Sequence, residues 1–258
     1  MQRKMLMITE EKLLQEIEIL KRENLALKAF QEKLEDEDIP IFSFSNMTDR
    51  KLKECVLIQR EFNNSTIFDE WFSHNSELSS EEIAFLESLI EKYSAYLDGY
   101  KEETLKAHFV IPILNRVDFL LPEYRCAGLY EERLTYKTEK FIFNGTTDFV
   151  FAKGLVESEK PYFFIQEFKR GEENSSPRPQ LLAELISAIE LNNETSMKGA
   201  YIVGAIWNFV IVEKLGKDSY RYFVSRNFDS TDIEKLKMIY KNLLFIKDMV
   251  IQRVKNEG

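Results

Sequence analysis

The most regular pattern in the chain is a seven-residue repeat of leucine near its start. The repeat places leucine at d positions, and Asn24 then falls at an a position, where a buried amide favours two helices paired in register. Residues 1–36 are therefore predicted to form a leucine-zipper-like coiled coil, which joins two copies into a homodimer through residues 6–34. The alternative is an amphipathic helix that packs on its own domain. The repeat consists of Leu6, Leu13, Leu20, Leu27 and Leu34.

Residues 37–100 continue with apolar positions at helical spacing. The spacing predicts a short helix over 51–62. Either Ser79 or Ser80, followed by Glu82, is typical of a helix N-cap, and it precedes the clearest amphipathic stretch of this part. No chemistry is visible here, so this segment is interpreted as a helical linker that supports the domain after it.

From about residue 101 the helices alternate with short apolar or alternating runs. Alternation is typical of strands with one buried face, whereas continuous apolar runs are typical of strands that are buried on both faces. Residues 101–258 are therefore expected to form one α/β domain with a mixed sheet flanked by helices. The expected helices span 102–115, 180–191 and 231–254, and the expected strands span 130–137, 141–151 with a turn at Asn144-Gly145, 162–169, 200–213 and 220–224.

Charge is distributed unevenly along the 258 residues. Residues 1–100 carry the whole net charge of −9, with 12 Lys and Arg against 21 Asp and Glu, and residues 101–258 carry 23 of each sign. The second part is thus free to hold a local basic surface. The two Cys lack zinc-site spacing, and two His exclude a His-rich metal centre. No apolar run approaches the roughly 20 residues of a membrane span, and the N-terminus is unlike a signal peptide, so a soluble cytoplasmic protein without a membrane partner is expected.

Candidate chemistry lies where polar residues interrupt the apolar strands. Asp148 belongs to the second expected strand region, and Glu167 and Lys169 lie two apart at the end of the third, on one face. Carboxylates from two neighbouring strands can share one Mg²⁺ or Mn²⁺, and a lysine beside the metal can orient or deprotonate a water. These are the groups that phosphodiester hydrolysis needs. The alternative is an ordinary salt bridge between Glu167 and Lys169 at the end of a strand.

The surroundings of these residues resemble the PD-(D/E)XK nuclease superfamily. The resemblance covers about residues 101–227 and looks most like the group that includes the N-terminal nuclease domain of type I restriction subunits and the nuclease-like domains of Crinkler-type proteins. With the zipper, the expected architecture is a restriction-endonuclease-like core that carries an N-terminal helical, coiled-coil extension. The matching segments are Gly145-Thr-Thr-Asp148, Phe164-Ile-Gln-Glu-Phe-Lys169, Arg178-Pro-Gln-Leu-Leu-Ala-Glu-Leu-Ile-Ser with Gln180 at the helix start, and Tyr201-Ile-Val-Gly-Ala-Ile-Trp-Asn-Phe209.

The resemblance implies a role for each matching residue. Asp148 and Glu167 would bind the metal ion, and Lys169 would be the catalytic lysine. Gln180 would point back from the start of its helix to brace the site or to contact phosphate.

Further residues are implied around this set. The first helix of such nucleases often supplies an acidic residue, and Glu102 is favoured over Glu103 because it shares a helix face with apolar residues. Arg170 and Arg178 are possible phosphate contacts, although each is by default an ordinary surface charge. The residue before Asp148 is Thr147 and not proline, a departure that many members of this diverse group also show.

Three functions follow from these observations. The first is a Mg²⁺-dependent nuclease that hydrolyses phosphodiester bonds of DNA, with RNA, strandedness and sequence preference left open. The second is a catalytically inactive nuclease-fold module that binds nucleic acid or a partner protein, and the third is a coiled-coil scaffold. No Gly-rich phosphate loop is present, so a nucleotide-driven motor is not expected in this chain.

Overall fold

A computed structural model describes the main body of the chain. Residues 1–40 and residues 41–258 form two separate compact units. Of the leucine repeat only Leu20 is described, in helical conformation, and the other leucines lie outside the described residues, so the coiled coil and the homodimer stay predictions. Among the residues that the structure describes, no helix is both long and apolar enough to cross a bilayer. The described residues are 17, 20–21, 39–62, 66–74, 76–169 and 176–257.

Within the described residues, the unit 41–258 contains nine strands in one sheet, with six helices packed on it. The helix over 102–117 is continuous, but a π-helical segment, Lys106–Val110, separates Glu102–Leu105 from Ile111–Val117. The strands are β1 (Ile41–Ser43), β2 (Leu57–Arg60), β3 (Cys126–Lys137), β4 (Ile142–Lys153), β5 (Glu159–Lys169), β6 (Ser196–Val203), β7 (Ile206–Gly216), β8 (Ser219–Val224) and β9 (Phe228–Asp229). The helices are α1 (Asp49–Cys55), α2 (Asp69–Phe72), α3 (Ser80–Tyr93), α4 (102–117), α5 (Pro177–Asn192) and α6 (Ile233–Glu257).

The sheet is mixed and runs in the order β1-β4-β5-β6-β7-β8-β2, with β3 added on β4 and β9 on β7. The pairs β1–β4, β5–β6 and β2–β8 are parallel, and the others are antiparallel. Strand β3 pairs along the whole of β4, so the other edge of β4 is shared by β1 at its start and β5 at its end. The expected α/β class, with a mixed sheet flanked by helices, is confirmed.

Two hydrophobic cores lie on the two faces of the sheet. Helices α2, α3, α4 and α6 pack on one face, around Trp71 and Phe209. Helices α1 and α5 pack on the other face, around Ile165 and Val210. Because side chains alternate along a strand, neighbouring buried residues of a central strand, such as Phe209 and Val210 of β7, belong to opposite cores. Helix α5 is buried on nearly all sides, from Leu181 onward.

Two strands of the sheet come from residues 41–100. The helix expected over 51–62 is wrong in its second half, because Asp49–Cys55 is helical and Leu57–Arg60 is β2. Local spacing favoured a helix there, and pairing with β8 overrides that preference. The N-cap expectation is confirmed: Ser79 caps α3 and forms a capping box with Glu82.

Two expected turns are placed differently. The turn at Asn144-Gly145 is wrong: β4 runs straight through, and the chain reverses at Thr138–Phe141, where the Thr138 N–H donates to the Phe141 carbonyl at 2.9 Å. A Cβ on Gly145 would come within 2.8 Å of the Phe44 ring, so glycine serves close packing here. The single strand expected over 200–213 is a hairpin, β6–β7, which turns at Gly204 with φ +59°.

Candidate active site

Two carboxylates lie where β4 and β5 part. The antiparallel pairing of these strands ends at Phe149 and Gln166, and the next residues outward are Asp148 and Glu167. The Asp148 backbone N–H donates to Glu167 Oε1 at 3.2 Å, and the Phe168 N–H donates to Asp148 Oδ2 at 2.8 Å. Each carboxylate therefore accepts a backbone N–H of the opposite strand, which holds both side chains across the gap.

Strand alternation directs the site toward α5. Val150 on β4 and Ile165 on β5 both belong to the core around that helix. Asp148 is two positions from Val150, and Glu167 and Lys169 continue the series of Ile165, so all three share its face.

Helix α5 adds a second buried carboxyl, Glu184. Gln180 lies one turn before it, and Gln180 Nε2 donates to Glu184 Oε1 at 3.2 Å. Both Glu167 and Glu184 have 0% of their surface exposed, and the Glu167 carboxyl lies in the field of the Glu184 charge. Burial raises the pKa of both carboxyls, and the negative charge of Asp148 raises both further.

Three oxygens of this cluster have no partner. Glu167 Oε2 and Glu184 Oε2 accept no hydrogen bond from any described residue, and neither does Gln180 Oε1. A buried polar atom left in this way costs roughly 1–3 kcal/mol. The cluster therefore retains acceptor capacity that the fold itself does not use.

Two lysines bring positive charge to the carboxylates. Lys169 Nζ lies 3.7 Å from Glu102 Oε1. Lys106, the first residue of the π-helical segment, places Nζ 3.1 Å from Asp148 Oδ1 and 3.3 Å from Glu103 Oε1. Burial alone would lower the pKa of Lys106, but Asp148 and then Glu103 raise it above its ordinary value. The first turns of α4 thus reach the site, although the rest of α4 packs in the other core.

The structure brings together most of the residues singled out from the sequence. The alternative acidic residue, Glu103, bonds to Lys106 and not to Lys169. Arg178 lies about 200° around α5 from Gln180 and forms an ion pair with Asp49, so it does not join the carboxylates. Arg170 lies outside the described residues. The residues brought together are Asp148, Glu167, Lys169, Gln180 and Glu102.

Sequence reasoning missed Glu184 and Lys106. Glu184 had a usable signal, because it is the one charged residue in the run Leu181–Ile189, and a charge inside an apolar helix is costly without a partner or a use. Lys106 had none, since a lysine on the first turns of an amphipathic helix is usually solvated.

The donor set fits a hard divalent cation. Buried carboxylate oxygens without a hydrogen-bond donor, on Glu167 and Glu184, are ligands that Mg²⁺ and Mn²⁺ prefer. Among the described residues, no three His, Cys, Asp or Glu side chains converge as a complete metal cluster. Mg²⁺ commonly takes only one or two carboxylates and keeps waters or phosphate oxygens in its other positions, so Asp148 and Glu167 suffice.

Comparison with known proteins adds no relative to this picture. No protein-family model matches the sequence, and no curated protein is significantly similar to it.

Proposed function

We propose that the protein is a metal-dependent nuclease that hydrolyses phosphodiester bonds of DNA. Asp148 and Glu167 hold Mg²⁺ or Mn²⁺, and Lys169 assists the attacking water. The observation that carries the proposal is the junction of β4 and β5, where the Glu167 carboxylate accepts the Asp148 backbone N–H and the Asp148 carboxylate accepts the Phe168 backbone N–H. This junction keeps a buried Glu167 oxygen open and has Lys169 on the same face.

Lys169 supports the chemistry through its position and its charge. Its side chain is 20% exposed, so the ammonium is partly shielded but reachable by a phosphate. There it can orient or deprotonate a water and offset the charge that develops on the phosphoryl oxygens. Glu102 is a positioning residue, since its carboxylate draws Lys169 Nζ to the mouth of the site.

Gln180 and Glu184 support the site from α5. The Gln180 amide fixes one oxygen of Glu184, which leaves the other oxygen without a hydrogen bond from any described residue. Lys106 neutralises Asp148 until a cation arrives. When it is bound, a divalent cation would polarise the phosphoryl group and make the attacking water more acidic.

A second candidate function is a nuclease-fold module that binds nucleic acid or a partner without cutting. The contact that favours it is the ion pair between Lys106 and Asp148. With Oδ2 accepting from Phe168 N–H, both Asp148 oxygens are occupied, so metal binding must compete with Lys106.

Other parts of the proposal concern the assembly. A homodimer joined through residues 6–34 would bring two sites together and could cut both strands of a duplex. A cytoplasmic location belongs to the same proposal.

The test is cleavage of labelled DNA and RNA substrates with Mg²⁺, with Mn²⁺ and with chelator. The variant is Asp148→Asn, and its matched control is Asp218→Asn, because Asp218 also pairs with a lysine at 3.1 Å but lies in the β7–β8 turn. Metal-dependent cleavage that is lost only in Asp148→Asn would support the nuclease. If neither the native protein nor either variant cuts any substrate, and no divalent ion raises the melting temperature of the native protein, the binding module or the scaffold replaces the nuclease as the proposed function.

A further inference from the structure

A cavity of about 520 Å³ opens beside the edge strand β2, between α1, α5 and β8. Among the described residues, three basic side chains line it, Lys53, Arg60 and Arg178, against one acidic side chain, that of Asp49. The lining thus carries a net charge of +2 in a chain whose net charge is −9. This reversal of sign favours an anionic ligand.

The arginines keep donors for such a ligand. Arg178 is oriented by its ion pair with Asp49, yet the Nε atoms of Arg178 and Arg60 are buried and bond to no described residue. Tyr222, which is 7% exposed, completes this wall. Burial raises the pKa of Tyr222, while the charges of Arg178 and Arg60 oppose the shift, so the phenol lies within the field of both guanidinium groups. Buried N–H donors without an acceptor are costly, and the arginine side chains that carry them line the cavity, where a phosphate would accept charge-assisted bonds from their guanidinium groups.

An exposed aromatic ring stands at the rim of the same cavity. Phe62 is 76% exposed, and the Arg60 guanidinium lies 4.8 Å from the centre of its ring. The cation–π contact with Arg60 holds this exposed ring at the rim of the cavity. Proteins that bind nucleotides use this pairing, with the base stacked on the ring and the phosphate held by the cation.

We propose that this cavity binds a nucleoside phosphate, with the phosphate held by Arg60 and Arg178 and the base stacked on Phe62. The cavity faces the opposite side of α5 from Gln180 and Glu184, so it is distinct from the carboxylate cluster and does not depend on the proposed cleavage. The ligand is either a nucleotide within a nucleic-acid strand or a free nucleotide. A phosphorylated peptide would use the arginines without needing Phe62.

The test measures binding of four probes to the full chain in chelator, so that the carboxylate site takes no part. The probes are AMP, a short 5′-phosphorylated oligothymidylate, inorganic phosphate and a phosphoserine peptide. The variants are Arg60→Gln and Phe62→Ala, with Lys53→Gln as a second basic variant in case Arg60→Gln fails to fold. Arg50→Gln is the matched control, because Arg50 is on α1, has 91% of its side chain exposed and does not line the cavity.

The expected result separates phosphate contact from stacking. Arg60→Gln should weaken AMP or oligonucleotide binding by about tenfold or more. Phe62→Ala should weaken the same probe by about fivefold or more and leave inorganic phosphate unchanged. Arg50→Gln should bind as the native protein does. AMP binding would identify a free nucleotide as sufficient, and binding of the oligonucleotide alone would identify a strand.

Three results would overturn the proposal. The first is no binding of AMP or the oligonucleotide by the native protein. The second is that the Arg60→Gln and Lys53→Gln proteins bind AMP and the oligonucleotide as tightly as the Arg50→Gln control does. The third is that the native protein binds the phosphoserine peptide as tightly as AMP or the oligonucleotide, and that Phe62→Ala changes none of these affinities. That result would make the cavity a site for phosphorylated protein.

Discussion

Helix α5 carries two glutamates with opposite surroundings. Near its end, Glu190 accepts from Lys214 Nζ at 2.8 Å and from Tyr220 Oη at 2.6 Å. In the middle of the helix, Glu184 accepts only the Gln180 amide among the described residues, at 3.2 Å, and the Glu184 charge acts on the buried carboxyl of Glu167. Glu190 keeps 17% of its side chain exposed, whereas Glu184 is fully buried.

The difference separates a carboxylate that serves the fold from one that does not. A cation and a hydroxyl satisfy Glu190, so its charge is compensated where it lies. Glu184 is more deeply buried, and less of its charge is compensated by a partner. The fold tolerates this arrangement, but the arrangement adds nothing to its stability. The same helix thus shows that this chain can pair a buried carboxylate when stability alone matters. The unpaired one is therefore the better candidate for binding a ligand.

The largest expected effect concerns the lysines of the two regions. Lys169→Met should lower metal-dependent DNA cleavage by about 10²–10⁴-fold, because the group that orients or deprotonates the water is lost. Lys214→Met should leave the rate per folded molecule unchanged, since Lys214 serves Glu190 alone. Initial cleavage rates, corrected for the folded fraction, measure both. Equal losses in the two variants would remove the catalytic role of Lys169.

Neutralising each glutamate should change stability in opposite directions. Glu190→Gln should lower the free energy of unfolding by about 2 kcal/mol, because it leaves Lys214 without its charge partner. Glu184→Gln should raise it by about 1 kcal/mol in chelator, since a neutral amide removes the repulsion between two buried carboxyls. Urea denaturation at neutral pH gives both values. A loss of stability in both variants would mean that Glu184 is as structural as Glu190.

Stabilisation of the protein by divalent ions should depend on the carboxylate cluster and not on Glu190. Mg²⁺ at about 100 times its dissociation constant should add about 2.7 kcal/mol to the native protein, because only the folded state holds the ligands. Glu167→Gln should abolish this gain, and Glu190→Gln should keep it. Melting temperatures with and without Mg²⁺ provide the measurement. A gain that survives in Glu167→Gln would place the ion elsewhere.

The smallest expected effect concerns the ion pair on Asp148. Lys106→Ala should tighten Mn²⁺ binding by about fivefold, because a competing cation 3.1 Å from Asp148 Oδ1 is removed. Lys140→Ala removes the matching pair with Asp218, also at 3.1 Å, and should leave the affinity unchanged. Titration calorimetry can resolve the difference. Weaker Mn²⁺ binding in Lys106→Ala would instead make Lys106 a positioning residue for Asp148.

Local pattern was enough for several features. The alternation of β5 placed Glu167 and Lys169 on one face, and the prolines before Gln180 marked the start of α5, where Pro177 is the first residue. These features were predictable because a strand has a period of two and a helix has a known start signal. The α/β class followed from the same periodicities.

Other features depended on which elements become neighbours. Residues 57–60 have the apolar spacing of a helix, yet they form β2 because β8 offers them a pairing partner. Glu184 becomes part of the site only because α5 packs over β5, and Lys106 only because α4 begins beside Asp148.

The sequence by itself therefore determined which face of each helix or strand is apolar, and where several of these elements begin and end. The tertiary structure alone decided that Glu184 faces Glu167, that Lys106 pairs with Asp148, and that the Arg178 side chain turns to Asp49. The physical reason is that periodicity encodes which side of an element is apolar, whereas a site requires side chains from separate elements to meet. That meeting depends on packing and pairing between residues far apart in the chain, such as Lys106 and Asp148, and no local pattern records it.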